Sequence, residues 1–342
     1  MIVRNPPAAD WDAFVQHHPK ATGYHLWGWR EVFEQTFGHE AHYLAAAESA
    51  GGQILGILPI VGMKSMLFGR FGVSLPFVNY GGVVADDDGV ARALLDEAVK
   101  VAEASRWKHL EIRHMEQRFQ NLEAKRDHKV GMYLALAENE TKQWEAVDRK
   151  VRNQVRKAQK SNFTTAVGGG ELVDEFYQVF ARNMRDLGTP VYARRLFADL
   201  ARLFPQQVKL YVVRDKTTPI AASLTFGWRS LIEVPWASSL KEYRSQCPNM
   251  LLYWEMLRTA VADGFRTFDF GRSTPDEGTF QFKRQWGAEP QPMCWEYWLP
   301  AGQKLPDHSP KNPKFAAAIS MWQRLPVGLT TVLGPHVVRG IP

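Results

Sequence analysis

A faint internal repeat limits the architectures open to this chain. A helix-period run over 90–105 leads into the strand-like Trp107–Arg113, and 249–263 leads into Phe265–Phe270. The two strand starts are 158 positions apart (265 − 107), and at that offset Leu94 meets Leu252, Ala102 meets Ala260, Leu110 meets Phe268, Glu111 meets Asp269 and Ile112 meets Phe270. Helix-then-strand similarity at a single offset is the mark of a duplication. Each helix follows a strand-and-turn region, Phe77–Val84 in the first half and Leu231–Trp236 in the second. Further upstream lie Gln53–Val61, Lys209–Val213 and Ile220–Phe226, rich in residues that favour strands. Each half therefore reads as helices, a mostly antiparallel set of strands, then a helix crossing to one more strand: an α/β sandwich, used twice. A doubly wound dinucleotide fold is the alternative. It is disfavoured because no Gly-x-Gly-x-x-Gly opens a helix after the first strand.

The length of 342 residues fits two domains, and a hydrophobic content of 45% is enough for two cores. The formal charge of +6, from 42 basic and 36 acidic residues, is a mild pull toward anionic ligands. Cys247 and Cys294 give no disulfide framework and fit a reducing compartment. Met1-Ile-Val-Arg-Asn-Pro-Pro lacks a basic-then-apolar leader, and no run of about 20 uncharged apolar residues exists. The expectation is a soluble, cytoplasmic protein.

Several chemistries lack their signatures. Asp269-Phe270-Gly271 spells the kinase magnesium motif, but no glycine-rich loop or His-Arg-Asp precedes it, and no Gly-x-Ser-x-Gly elbow appears. The histidine pairs His17–His18, His39–His42 and His109–His114 match no zinc spacing, so no metal is expected. Between the halves, Val151, Val155 and Ala158 recur at helical spacing inside Asp148–Lys160, giving a helix with a basic face that Val167–Gly170 ends. A solvated face is one reading of it. A nucleic-acid surface would carry exposed aromatics among the cations; few occur here, and no DNA partner is expected.

The stretch from Gly278 to Gly287 sets Lys283 among Phe280, Phe282 and Trp286, just after the strand-like 265–270 and Gly271-Arg272-Ser273-Thr274. A lysine in an apolar frame beside a strand end can meet an anion or developing negative charge. The plain alternative is a surface lysine whose stem packs on aromatics. The passage from Asp269 through Phe282-Lys283-Arg284-Gln285-Trp286-Gly287 resembles the last part of FemAB-like proteins. Within them it resembles the branch associated with exosortase/PEP-CTERM systems and exopolysaccharide loci. The resemblance covers roughly 10–300 and is strongest over 230–298. It implies tandem acetyltransferase-like (GNAT) domains and transfer of an acyl or aminoacyl group to an amine of a cell-envelope glycan, peptidoglycan or exopolysaccharide precursor. The other reading is a degenerate GNAT pair that binds glycan or scaffolds an export complex without turnover. The junction helix has a counterpart in the relatives, which implies a hinge bordering the acceptor cleft.

The resemblance makes Lys283 the catalytic residue, near acceptor phosphates and the reacting carbonyl. Its removal is expected to lower turnover by roughly 10²–10³-fold with little change in stability. The substrate-binding candidates are Arg272, Ser273, Tyr192, Arg194, Trp236, Tyr243, Trp29 and Arg30; for Trp29 a place in the core is the alternative, and for Tyr192 and Arg194 an ordinary helix start. Asp269, Asp276 and Glu277 are the few possible bases. In GNAT enzymes the turn before the crossover helix meets a pyrophosphate. Here that turn, Tyr243–Met250, lacks the usual glycines, which disfavours tight coenzyme A binding and leaves Asn249, as a helix cap, and Met250 as donor contacts. The donor is accordingly an aminoacyl-tRNA, an acyl-coenzyme A or an acyl carrier protein, acting as co-substrate. The long helical arm of tRNA-using relatives is missing between Asn139 and Phe176, which weighs against tRNA. In the first half, Tyr80-Gly81-Gly82 is followed by Asp86-Asp87-Asp88, which would repel a pyrophosphate, so that half reads as an acceptor-holding or degenerate copy. The expected divisions are 1–148, 149–300 and a tail over 301–342. The tail is read as a linker around Pro306, Pro310 and Pro313, then an apolar stretch that packs back on the protein or rests on a membrane surface, at the inner face.

Overall fold

Two mixed sheets organise the chain. The structure, a computed structural model, describes residues 1–65, 68–125, 129–304 and 313–341. One unit comprises Met1–His128, Pro292–His308 and Arg339–Pro342, and the other Lys129–Gln291 and Ser309–Val338.

In the first unit the strands run in the order Ile2–Arg4, Glu40–Ala47, Ile54–Ser65, Gly69–Val73, Leu110–His114, Cys294–Trp298, Glu123–Lys125, with Val84–Ala85 beside Ile54–Ser65. In the second the order is Thr164–Gly168, Val208–Asp215, Thr218–Trp228, Leu231–Ser239, Thr267–Ser273, Val130–Ala135, Glu289–Pro292. The orders match place for place. In each, the step from fourth to fifth strand is parallel, Gly72 opposite Leu110 and Leu231 opposite Thr267. A helix makes each parallel crossing, Asp88–Ala104 in one and Pro248–Ala262 in the other. These are the segments that the 158-residue offset relates. The expected duplication of an α/β sandwich is what the chain folds into.

Local chemistry explains the crossings. Ala91, Leu94, Leu95, Ala98, Val101 and Ala102 put one buried stripe on the first helix, and Asp87 caps it by accepting from Val90 N at 2.8 Å. The second helix buries residues nearly all round, Leu252, Met256 and Leu257 among them, and starts at Pro248, where a missing N–H costs nothing. Its N-cap is Cys247, in the left-handed region, so Asn249 lies one residue inside the helix and is not the cap.

Each sheet takes one strand from beyond its own stretch of sequence. Cys294–Trp298 lies between Leu110–His114 and Glu123–Lys125 in the first sheet, and Val130–Ala135 borders Thr267–Ser273 in the second. Boundaries at 148 and 300 put both strands with the wrong partners, because alternation of apolar residues marks a strand without saying which sheet it joins.

Helix Arg149–Gln159 buries Val151, Val155 and Ala158 as its spacing requires. It ends before Lys160, and Thr164–Gly168 is a strand paired with Leu210–Arg214, so the chain leaves the helix well before Gly168. The linker expected around Pro306 and Pro310 lies outside the described residues. Beyond it, helices Pro313–Trp322 and Val327–Val338 belong to the second unit, where Arg185 Nη1 donates to Leu325 O at 3.0 Å.

Candidate active site

The parallel strands of the second unit pair over three residues only: Leu231 with Thr267, Ile232 with Phe268, Glu233 with Asp269. Beyond these, each strand follows its other neighbour. One extra residue enters each strand there, between Glu233 and Trp236 opposite Phe226 and Leu224, and between Asp269 and Arg272 opposite Tyr133 and Gly131. Such bulges bend a strand away from its ladder. Pro235 occupies the first and has no N–H to pair. Gly271 occupies the second with φ 73°, a conformation that glycine adopts without a Cβ clash. The two strands thus fork, and the buried carboxylates Glu233 and Asp269 stand opposite each other at the base of the fork.

Lys283 serves this fork. It lies on the short helix Gly278–Arg284, is 8% exposed, and donates from Nζ to Gly271 O at 3.0 Å and Arg272 O at 2.9 Å. The turned-out carbonyls of the bulge are its acceptors. Burial pulls its pKa down to about 8; Asp269 and Glu233 pull the other way, and Arg272 and Lys129 add to the depression. Lys129 also donates to Thr274 Oγ1. Aromatic rings wall the base: Tyr253 stacks on Phe270 at 5.5 Å and meets Phe282 edge-on at 4.9 Å, with Trp286 buried behind. The surface-lysine alternative is therefore excluded, and with it the expectation that removing Lys283 leaves stability unchanged.

The other candidates fall into three groups. Arg272 and Ser273 are at the fork; Arg272 is exposed, while Ser273 is buried and its Oγ meets no partner among the described residues. Trp236, on the strand carrying Glu233, meets Tyr192 edge-to-face at 6.2 Å, whereas Arg194 is exposed and paired with Asp174 on the neighbouring helix. Tyr243 packs on the core beside Phe163. Met250 is a core residue, and its N–H goes to Cys247 O at 3.0 Å; neither its side chain nor its N–H is available to a donor. In the first unit Trp29 is also core, 2% exposed with Nε1 donating to Gly23 O, so it is a packing residue and not a ligand contact. Arg30 lies over the rings of Trp27 and Tyr43 and pairs with Glu34. Sequence reasoning passed over Glu233 and Lys129. The signal for Glu233 was an acid in an apolar strand two residues before a proline; Lys129 left no signal of its own.

The first unit has the same fork in a closed form. Its parallel pairing covers Gly72–Leu110 and Val73–Glu111. Arg113, 1% exposed, fills the space beyond: Nε donates to Glu111 at 2.7 Å, Nη1 to Val78 O at 2.6 Å, and the guanidinium lies 4.2 Å from the Trp295 ring. Burial pushes the Glu111 carboxyl up, but the charge and hydrogen bond of Arg113 outweigh it and hold it below its usual range. Glu111 corresponds to Asp269 at the 158-residue offset, and Arg113 to Gly271.

Paired sandwiches with forked parallel strands define a tandem GNAT fold. Residues 146–284 match the family model described as the acetyltransferase (GNAT) domain. Solved structures agree over most of the chain. The crystal structure of FemX superposes with a TM-score of 0.65 at 16% identity, covering 86% of this chain and 96% of that one. The C-terminal domain of a putative lysylphosphatidylglycerol synthetase from Agrobacterium fabrum gives 0.58 at 11% identity, covering 98% of each chain. A tandem GNAT protein from the clavulanic acid biosynthesis pathway gives 0.50 at 13% identity, covering 90% of this chain and 100% of that one. At such identities these similarities concern the fold. No curated protein matches the chain by sequence.

Proposed function

We propose that the second unit transfers an acyl or aminoacyl group to an amine of an anionic cell-envelope precursor, and that the first unit is a non-catalytic copy. The observation that carries this reading is a buried lysine at the base of a fork between parallel strands. Beyond Glu233 the strand edge facing the fork has no strand partner among the described residues, so an extended donor can add its own amides there. The neutral amine then attacks the donor carbonyl: the C–N bond forms, the C–O or C–S bond of the ester or thioester breaks, and the proton lost by the nitrogen goes to the departing oxygen or sulfur, which leaves as the alcohol or thiol. Lys283 has three N–H donors and uses two on Gly271 O and Arg272 O, which leaves one for an anionic oxygen. Arg272 and Lys129 add positive charge for an acceptor phosphate. Binding both substrates in one cleft supplies much of the acceleration, about 7–11 kcal/mol at best. The closed fork around Arg113 supports the non-catalytic role of the first unit, since an internal cation already occupies the equivalent space.

The test is mass spectrometry of envelope polysaccharide and precursors from a deletion strain. An N-acyl mass lost on deletion should return with the wild-type chain and not with Lys283→Ala. With purified protein, Lys283→Ala should lower turnover by roughly 10²–10³-fold, corrected for folded fraction, and Lys283→Arg should recover it only in part, because a planar guanidinium does not fit the same acceptors. Near wild-type turnover in Lys283→Ala would overturn the reading.

A further inference from the structure

Of nine large hydrophobic side chains left exposed among the described residues, five lie near the C-terminus: Met321, Leu329, Val332, Leu333 and Val337. Four of these follow one another on helix Val327–Val338 at spacings of three, one and four, which puts them on one face. The opposite face is fixed. Thr330, Gly334 and Val338 are buried, and a Cβ on Gly334 would come within 2.8 Å of the Val191 backbone. Gln323 donates to Asp186 O just before the helix. The apolar face is thus held outward by a docked helix.

The charge pattern says what meets it. After Asp307 the sequence has no acidic side chain, and Lys311, Lys314, Arg324 and Arg339 are its cations; Arg324 and Arg339 bracket the helix. An apolar stripe on a segment that carries cations and no carboxylate of its own, with Asp186 beside Gln323 already paired with Arg185, complements a surface that is apolar below and anionic above. A second copy of the chain fits less well. Four exposed apolar side chains on one 12-residue helix are few against the roughly 20–30 residues that each partner contributes to a stable interface. A 12-residue helix is about 18 Å long, too short to cross a bilayer, and none of the described helices is long and apolar enough to do so.

We propose that the outward face of helix Val327–Val338 docks on an anionic lipid bilayer, lying in the plane of the headgroup boundary with Arg324 among the lipid phosphates. This goes beyond the transferase reading and does not depend on it, since docking needs no acyl donor or acceptor.

Co-sedimentation of the full chain with vesicles tests it. The protein should pellet with phosphatidylcholine vesicles containing about 30% phosphatidylglycerol and partition at least about tenfold less onto phosphatidylcholine alone. Val332→Asp combined with Val337→Asp should lower partitioning onto the anionic vesicles at least about tenfold, with an unchanged melting curve because both side chains are exposed. Should that variant melt early, Arg324→Glu serves instead, and its loss of binding should be greatest at low salt. Failure of the wild-type chain to pellet, or equal pelleting by both variants, overturns the proposal. So does a lipid-free dimer in sedimentation velocity that Val332→Asp dissociates, which would assign the stripe to a second copy.

Discussion

Arg113 and Lys283 are the buried Lys and Arg side chains among the described residues, and they have opposite consequences. Arg113 has a carboxylate of its own in Glu111. Truncating one side of a buried pair strands the other charge, so Arg113→Ala should lose about 3–5 kcal/mol in denaturant unfolding, while Arg113→Met with Glu111→Leu should lose far less. Equal losses for the two would show that the ion pair is not what fills the closed fork. Lys283 instead lies against carbonyls, with its pKa near 8 against 10.5 in the unfolded chain. Between those values the folded state binds fewer protons than the unfolded one, so stability rises with pH across that window. Relative to Lys283→Met, the wild-type chain should gain about 3 kcal/mol between pH 7.5 and 10.5, measured by unfolding at each pH. Turnover should move the other way and fall above pH 8 as the ammonium is lost. A flat stability difference would mean that the lysine is not buried as described. Lys283 was legible because aromatics surround it in sequence. Glu233 was not, because one acid in an apolar strand says nothing of which residue across the sheet will face it.

At the level of elements, two bulges make the fork. Gly271→Ala puts a Cβ at φ 73°, costing roughly 1–2 kcal/mol, and turns the carbonyl that Lys283 uses. The expected result is a lower melting temperature together with a shifted alkaline limb in the pH–rate profile; a lower melt with an unmoved limb would separate the bulge from the lysine. On the transferase reading, the turn into helix Pro248–Ala262 is where a donor pyrophosphate would be met. Pro248 has no N–H, and those of Met250 and Leu251 go to Cys247 O, so little remains to cradle a pyrophosphate. Calorimetry with acetyl-coenzyme A should give a dissociation constant weaker than low micromolar, and a tighter value would contradict this account. Helices, strands and the crossing order were readable from periodicity, since burial on one face is written into spacing. The bulges were half-readable: Pro235 announces one, but Gly271 resembles any turn glycine until its neighbours across the sheet are known.

For the whole molecule, the duplication was visible in the 158-residue offset, but the exchange of strands was not, because pairings as distant in sequence as Thr267 with Ala135 and Cys294 with His114 leave no local trace. Glu296 of the late strand binds His114 Nδ1 at 2.5 Å and the backbone N–H groups of Arg118 and Phe119 inside the first unit. A fragment of residues 1–148 lacks that carboxylate and its strand, and should show no cooperative melt in circular dichroism. A sharp transition in the fragment would mean the strand is dispensable.

The strand Cys294–Trp298 also orders events in time. A chain leaves the ribosome N-terminus first, at about 5–20 residues per second, and domains ordinarily fold as they emerge. Here the first sheet has an open place between Leu110–His114 and Glu123–Lys125 until residue 298 has been made. Through most of synthesis, then, the early half carries two unpaired strand edges, and the late half can close its own sheet first, having Val130–Ala135 already in hand. The first sheet thus gains its missing strand only after the second has all of its own.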